Sequence, residues 1–388
     1  MPAAVPSSSL KDLTSEQIMK LDLDPIWLRD TCSCKHCVDS SSGQKNFWTV
    51  DIPNDIKIKS RNIAGDGALE FTWENDLPGM PADHVTRQHP SELQEALLGP
   101  ESMLSMQRKT WTASSLSLFA VDHNDYMNDP AAFREGLMAL HQYGLIFVRG
   151  VPESKQAVVD VAERIGPLKS TFYGMTWDVK SVPKAKNVAY TSGHLGFHQD
   201  LLYMYDPPRL QLLHCLRSSA QGGASLFSDG FQACRDIYES DQSTFRDLCE
   251  VKTNFHYNKD GKHYLQSRPL IECKPGSGPS SNIEEAIDSI RAVNWSPPFQ
   301  GPFTKHQIES THDIKRWYKA ARKFRDQSES DKNVFERMMK PGDCVIFDNQ
   351  RVLHARTAFA AGDAGKERWL NGCYVDADPY WSALRKQY

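Results

Sequence analysis

Hydrophobic positions change their period several times along the chain, and the changes mark its elements. Up to residue 90, short alternating runs stand between polar turn clusters: FWTVDIP at 47–53, LEFTW at 69–73, with Gly65 and Gly67 between them. This pattern predicts a small β-rich unit over 1–90. A linker over 91–114 follows, in which Ser91 and Gln94 have the spacing of a capping box and Gly99-Pro100 closes a short helix. From 115 the period lengthens. Asp129-Pro130 supplies an N-cap and a first-turn proline, Phe133, Leu137 and Leu140 form an apolar stripe, and Gly144 stops the helix. LIFVRG at 145–150 then reads as a buried strand, and a second helix runs from Ser154 through Val158, Val161 and Ile165 to Gly166-Pro167. Short strands and turns dominate until THDIKRWYKAARKF, where Ile314, Trp317, Tyr318, Ala321 and Phe324 return to helical spacing. The stretch 274–283 reads as a loop, and 115–388 as the larger domain.

Composition narrows the class. A chain of 388 residues, 40% of them hydrophobic, buries a core without disulfide staples. Its 45 Lys+Arg against 49 Asp+Glu leave a net charge of -4, so neither nucleic acid nor an anionic membrane is expected as partner. No run nears the roughly 18 apolar residues of a membrane span, and MPAAVPSSSLKDLTSEQ has neither an apolar signal core nor transit-peptide arginines. The expected location is therefore cytoplasmic. Six of nine cysteines stand alone, which fits a reducing compartment. The other three, Cys32, Cys34 and Cys37, form Cys-x-Cys-x-x-Cys and read as metal ligands.

Candidate chemistry begins at His198-Gln199-Asp200. On a strand, period two places the imidazole and the carboxylate on one face. The same form at His123-Asn124-Asp125 lies in the polar run DHNDYMND and reads as a solvated loop. Downstream, VIFDNQRVLHARTAF gives two β-like runs joined at Asp348-Asn349-Gln350, with His354 on the second. Two imidazoles and one carboxylate make the donor set of non-haem Fe(II) oxygenases, which leaves adjacent positions for a chelating co-substrate and O2. Arg368 lies fourteen positions after His354 on the run RWLNGCYV, sharing a face with Leu370, Gly372 and Tyr374. An inward guanidinium is costly unless an anion meets it, and arginine suits two-pronged capture of a carboxylate. Gly372 on that face leaves room for a ligand to approach.

FYGMTW at 172–177, NVAYTSGHLGFHQD at 187–200, PPRLQLLHC at 207–215, GGASLFSDGF at 222–231 and PGDCVIFDNQRVLHART at 341–357 resemble the γ-butyrobetaine and trimethyllysine dioxygenases, within the taurine-dioxygenase-like Fe(II)/2-oxoglutarate oxygenases. With WLRDTCSCKHC, the likeness spans about 27–376. It implies an α+β, mainly β protein: a double-stranded β-helix (jelly-roll-like) catalytic domain behind a small β-rich N-terminal domain. It also implies Fe(II) on His198, Asp200 and His354, 2-oxoglutarate gripped by Arg368, O2 as second co-substrate, and a homodimer. Tyr173, Trp177, Tyr190 and Tyr374 match rings that surround a trimethylammonium group, which donates no N–H and is recognised by ring faces at about 0.5–2 kcal/mol each. Asn187 matches the butyrobetaine enzymes, where trimethyllysine enzymes carry an acid, and Asn294 matches a polar residue that addresses the substrate carboxylate.

The implied function is hydroxylation of a small quaternary ammonium carboxylate, γ-butyrobetaine to carnitine. Trimethyllysine or another small cationic metabolite is the alternative substrate, and a ligand-binding protein retaining the fold is the alternative of another class. The chain departs from the family at Gln221, where Thr is usual, and at Leu201, where Tyr is frequent. In the implied structural zinc site, the family's histidine is Leu77 here; the nearby His84 is the candidate fourth ligand beside Cys32, Cys34 and Cys37, with an unoccupied or altered site as the alternative.

Overall fold

The computed structural model describes residues 13–98, 107–180, 193–219, 221–277, 280–305, 307, 311–359 and 368–387. The chain divides into two compact units, 1–105 and 106–388.

In the first unit, strands Ile58–Ile63, Leu69–Trp73 and Val85–Gln88 form an antiparallel sheet. LEFTW is a strand as its alternation predicts: Leu69, Phe71 and Trp73 point into a core shared with Leu28 and Leu93. FWTVDIP is not. Thr49–Asp51 is a single 3-10 turn, and Trp48 and Val50 are exposed at 75% and 84%. Pro53, which cannot donate to a ladder, ends the run; Ile52 is buried in the core and Phe47 packs against it. The partner strand is instead IKSRNI, an edge strand with almost no buried position and hence no alternation to read. The helix Pro90–Leu98 takes proline as its first residue, and the His89 N–H donates to the Glu92 carboxylate, so the cap lies two residues before Ser91.

In the second unit, two sheets face each other. One has the strand order Phe119–Asp122, Leu145–Arg149, Cys344–Asp348, Leu210–Arg217, Trp369–Val375, Thr176–Lys180. The other has the order Val334–Arg337, Ser225–Asp229, Val352–Arg356, Leu195–His198. All pairings are antiparallel except the one between Phe119–Asp122 and Leu145–Arg149. Phe147, Val345 and Phe347 from the first sheet meet Phe227 and Val352 from the second, which is the interleaved core of a jelly-roll-like sandwich. The outer face of the shorter sheet, through Phe197, Leu226, Leu353 and Ala355, is covered by helices Gly230–Ser240, Gln242–Glu250 and Thr311–Ser328.

Helix Pro130–Tyr143 is capped by the Asp129 side chain and ended by Gly144 at φ 74°, and helix Lys155–Glu163 is capped by Ser154. Three readings differ. His123–Asn128 is a short helix rather than a loop, because it continues directly from the strand ending at Asp122. Tyr318 lies off its helix's buried stripe, 49% exposed, while Trp317, Ala321 and Phe324 are buried. Part of the expected linker is core: Trp111 is fully buried and its indole N–H donates to the Tyr143 carbonyl. Among the described residues no helix is long and apolar enough to cross a membrane.

Candidate metal centre and active-site cavity

His198 is the last residue of its strand, and Asp200 lies beyond the strand's end rather than two positions along it. The pair meets for other reasons. The pairing His354↔His198, Arg356↔Leu195 sets three steps against two, a bulge that turns both Leu195 and His198 towards the cavity. Leu201, at φ 63°, then turns the chain inward past Asp200. Asn349, in the turn between two strands, clamps Asp200 from both sides, accepting its N–H at 2.9 Å and donating to its carbonyl at 3.0 Å. Gln199 fixes that turn in place, donating to the Asn349 carbonyl and accepting the Trp295 N–H.

The donor atoms of His198, Asp200 and His354 all lie within 4.8 Å of one another. His198 Nδ1 donates to the Gly196 carbonyl at 2.8 Å, which leaves Nε2, 3.5 Å from Asp200 Oδ1, as the free donor. Burial, then the neighbouring His198, pushes His354 down to about 3, so its ring is neutral at ordinary pH. Burial works against the charged Asp200 carboxylate, but the His198 hydrogen bond, both imidazoles and the Tyr374 hydroxyl outweigh it and hold Asp200 well below the usual range. A neutral imidazole at His354 and an ionised carboxylate at Asp200 are the protonation states a divalent metal requires of those ligands.

Arg368 is 5% exposed and lines the same cavity. Burial and then the nearby Arg356 push its guanidinium down to about 10, and no carboxylate among the described residues pairs with it. A buried guanidinium directed at a cavity beside a three-donor metal cluster fits a dicarboxylate that reaches from metal to arginine. Gly223, at φ 78°, packs close beside this side chain: a Cβ built there would stand 3.2 Å from Arg368 Cδ and 2.6 Å from Ser219 Oγ.

Tyr173, Trp177 and Tyr374 line the cavity. Tyr374 has a second engagement, its hydroxyl donating to Asp200 Oδ2 at 2.7 Å, and its ring stacks on Trp177 with centroids 4.0 Å apart. Gly372 does share the inward face, but its space is taken: a Cβ there would lie 2.8 Å from the Trp177 ring, so the glycine admits the indole rather than a ligand. Asn294 is not brought to the cavity. It is buried just past the strand Ile290–Val293, its amide donates to the Pro269 carbonyl and to Glu272, and its neighbours Val293 and Trp295 belong to the helix-covered core. Asn187 and Tyr190 lie outside the described residues.

Several lining residues have no counterpart in the sequence reading. Tyr203 and Phe299 extend the aromatic wall, with the Tyr203 hydroxyl 3.3 Å from that of Tyr173. Arg356 also lines the cavity, its Nη2 donating to the Gly193 carbonyl, and Phe359 lies against both arginines. Period two from His354 was the available signal for Arg356.

Removing the Tyr374 hydroxyl should loosen Asp200. Tyr374→Phe is expected to weaken Fe(II) or Mn(II) binding by about 10- to 100-fold, as loss of a partner behind a metal ligand generally does, measured by metal titration of the purified protein.

In the first unit, Cys32, Cys34, Cys37 and His84 converge. His84 Nε2 is 3.5, 3.4 and 3.5 Å from the three sulfurs in turn. Its Nδ1 lies 2.5 Å from Asp76 Oδ2, and Asp76 also holds Arg29. Leu77, at the position of the family's histidine, is buried in the unit's core.

A paired-sheet sandwich, a His-Asp-His cluster and a buried guanidinium with no carboxylate partner among the described residues define a 2-oxoglutarate-dependent dioxygenase. Comparison with known proteins agrees. Residues 108–374 match the model of the taurine catabolism dioxygenase TauD, TfdA family, and residues 12–79 match the gamma-butyrobetaine hydroxylase-like, N-terminal model. The chain belongs to the TauD/TfdA family. It is 33% identical over 376 residues to dioxygenase str8 of Strobilurus tenacellus, covering 92% of this chain and 83% of that one. It is 31% identical to the gamma-butyrobetaine dioxygenase of Pseudomonas sp. (strain AK-1), covering 92% and 88%. Against human mitochondrial trimethyllysine dioxygenase the identity is 28%, covering 93% and 82%. Among solved structures, an asparagine oxygenase in complex with Fe(II), 2S,3S-3-hydroxyasparagine and succinate shares the fold at TM-score 0.50 and 19% identity, covering 63% of this chain and 79% of that one.

Proposed function

We propose that the protein hydroxylates a small quaternary ammonium carboxylate, with γ-butyrobetaine to carnitine the specific reaction. The observation that carries this reading is the cavity wall. Tyr173, Trp177, Tyr203, Phe299 and Tyr374 surround it, and Asp200 is the single carboxylate among its described lining residues. A trimethylammonium group needs ring faces and no hydrogen-bond acceptor, whereas the free α-ammonium of trimethyllysine calls for one. Identity leans the same way by a small margin, 31% to a gamma-butyrobetaine dioxygenase against 28% to a trimethyllysine dioxygenase.

In this reading His198, Asp200 and His354 hold Fe(II), and Arg368 binds the distal carboxylate of 2-oxoglutarate. Bound together, metal and co-substrate supply oxidative chemistry in which O2 converts 2-oxoglutarate to succinate and CO2 and leaves a hydroxyl on the substrate. The chain's own work is positional. Asn349 holds the Asp200 backbone and Tyr374 its carboxylate, the aromatic wall would set which C–H faces the metal, and the apolar lining of Leu195, Leu201, Leu213 and Leu370 excludes water. Succinate release measured across γ-butyrobetaine, trimethyllysine and other betaines tests the substrate. Strongest stimulation by γ-butyrobetaine is expected, and stimulation by trimethyllysine alone would overturn the assignment.

The first unit is read as a structural zinc module on Cys32, Cys34, Cys37 and His84. Three thiolates and an imidazole complete a tetrahedral set, and Asp76 behind His84 supplies the carboxylate that orients a metal-bound histidine. Elemental analysis is expected to find one equivalent of zinc per chain, lost in Cys37→Ala together with a lower Tm. A metal-free wild-type chain of unchanged Tm would contradict the module.

A further inference from the structure

Of the nine cysteines, four are buried singly in the second unit and three converge on His84; the remaining two, Cys249 and Cys273, are a half-buried pair with sulfurs 4.0 Å apart. They come from different elements, the last turn of helix Gln242–Glu250 and the end of strand Ile271–Cys273. Between them in sequence lies one hairpin, Lys252–Lys259 with Lys262–Pro269, paired without a break from Lys252↔Pro269 to Lys259↔Lys262. The two sulfurs therefore sit at its base.

We propose that Cys249 and Cys273 form a reversible disulfide that staples the base of this hairpin. The hairpin bears on the catalytic cavity. Tyr257 and Tyr264 pack on Phe172 with ring centroids 4.9 and 5.1 Å away, in the cluster that includes Tyr173 and Tyr203. Arg268 donates to the carbonyls of Leu202, Met204 and Tyr205, the segment that leaves Asp200. A bond at the base fixes the element that backs this wall.

The chemistry is thiol–disulfide exchange with a small disulfide such as oxidised glutathione. The Cys273 thiolate attacks one glutathione sulfur, forming a mixed disulfide and releasing one glutathione thiolate. The Cys249 thiolate then attacks the Cys273 sulfur and expels the second glutathione, so two protein thiols are oxidised and one glutathione disulfide is reduced to two thiols. Cys273 is the attacking sulfur. Its sulfur accepts from the Ser289 hydroxyl at 3.8 Å and stands 4.0 Å from the Cys249 sulfur, and the Cys249 neighbour, then Ser289, holds Cys273 below the ordinary thiol range. Closing from 4.0 Å to a bond of about 2.05 Å requires movement of about 2 Å, within reach of side-chain rotation at a helix end and a strand end.

The test incubates the zinc-replete full chain in glutathione redox buffers, traps free thiols by alkylation and maps peptides by mass spectrometry. The Cys249 and Cys273 peptides are expected to appear joined, with loss of two hydrogens, before any other cysteine reacts. In Cys249→Ser, Cys273 is expected to stop at the glutathione adduct; in Cys273→Ser, Cys249 is expected to remain free. Hydrogen exchange across 252–269 should slow in the oxidised wild type and stay unchanged in treated Cys249→Ser. Full alkylation of both cysteines, or an adduct on Cys273 that never resolves in the wild type, would overturn the disulfide. A joined pair with unchanged hairpin exchange would overturn the staple.

Discussion

Arg368→Met is expected to raise the 2-oxoglutarate concentration needed for half-maximal turnover by about 100-fold or more. The guanidinium is 5% exposed, no carboxylate among the described residues meets it, and burial holds its pKa down to about 10. A cation kept in such a place without a protein partner is paired by its ligand, and truncating one side of a buried charged contact costs roughly 2–5 kcal/mol. Each 1.4 kcal/mol or so is a factor of ten. Methionine keeps the apolar stem that packs by Gly223 and removes the guanidinium, with its contact to the Phe359 ring, so the loss is chiefly one of charge and hydrogen bonding. Arg368→Lys should fall between, keeping the charge and losing the two-pronged geometry. Steady-state titration of 2-oxoglutarate at saturating prime substrate checks both, and an unchanged KM in Arg368→Met would remove the residue from this role.

Asp200→Ala is expected to abolish turnover and Fe(II) retention together, the larger of the two effects. The carboxylate is the one anionic donor of the cluster, so its loss removes both a ligand and the charge that balances the metal. The fold should survive, because what Asn349 holds is the Asp200 backbone, through both its N–H and its carbonyl. Circular dichroism, metal content and succinate release measured on one preparation separate the two losses. Retained turnover with a native spectrum would place the metal elsewhere.

What could be read from sequence differed by residue for physical reasons. The donors and Arg368 were legible because His-x-Asp, a distant histidine and a following arginine are chemically costly to bury without purpose. The strand carrying Leu370, Gly372 and Tyr374 was legible because period two is rigid. The reason His198 and Asp200 converge was not: a bulge and a left-handed Leu201 do what a straight strand was expected to do. Asn349 was seen as a turn residue, yet its amide clamps a backbone 149 positions away, and no local pattern encodes such a contact. Asn294 shows the opposite failure. A polar residue aligned with a family position is consumed by Pro269 and Glu272, because its neighbours Val293 and Trp295 are drawn into the helix-covered core. Tyr203 and Phe299 come from separate turns, and only the folded wall brings them beside Tyr173.

The most direct measurement is an anaerobic titration of the purified protein with Fe(II) and 2-oxoglutarate, followed in the visible range. The wild type is expected to give the weak charge-transfer band of a chelated complex. Asp200→Ala should give none, and Arg368→Met should give it only at far higher 2-oxoglutarate. No band in the wild type, or a band indifferent to both substitutions, would contradict the site built from His198, Asp200, His354 and Arg368.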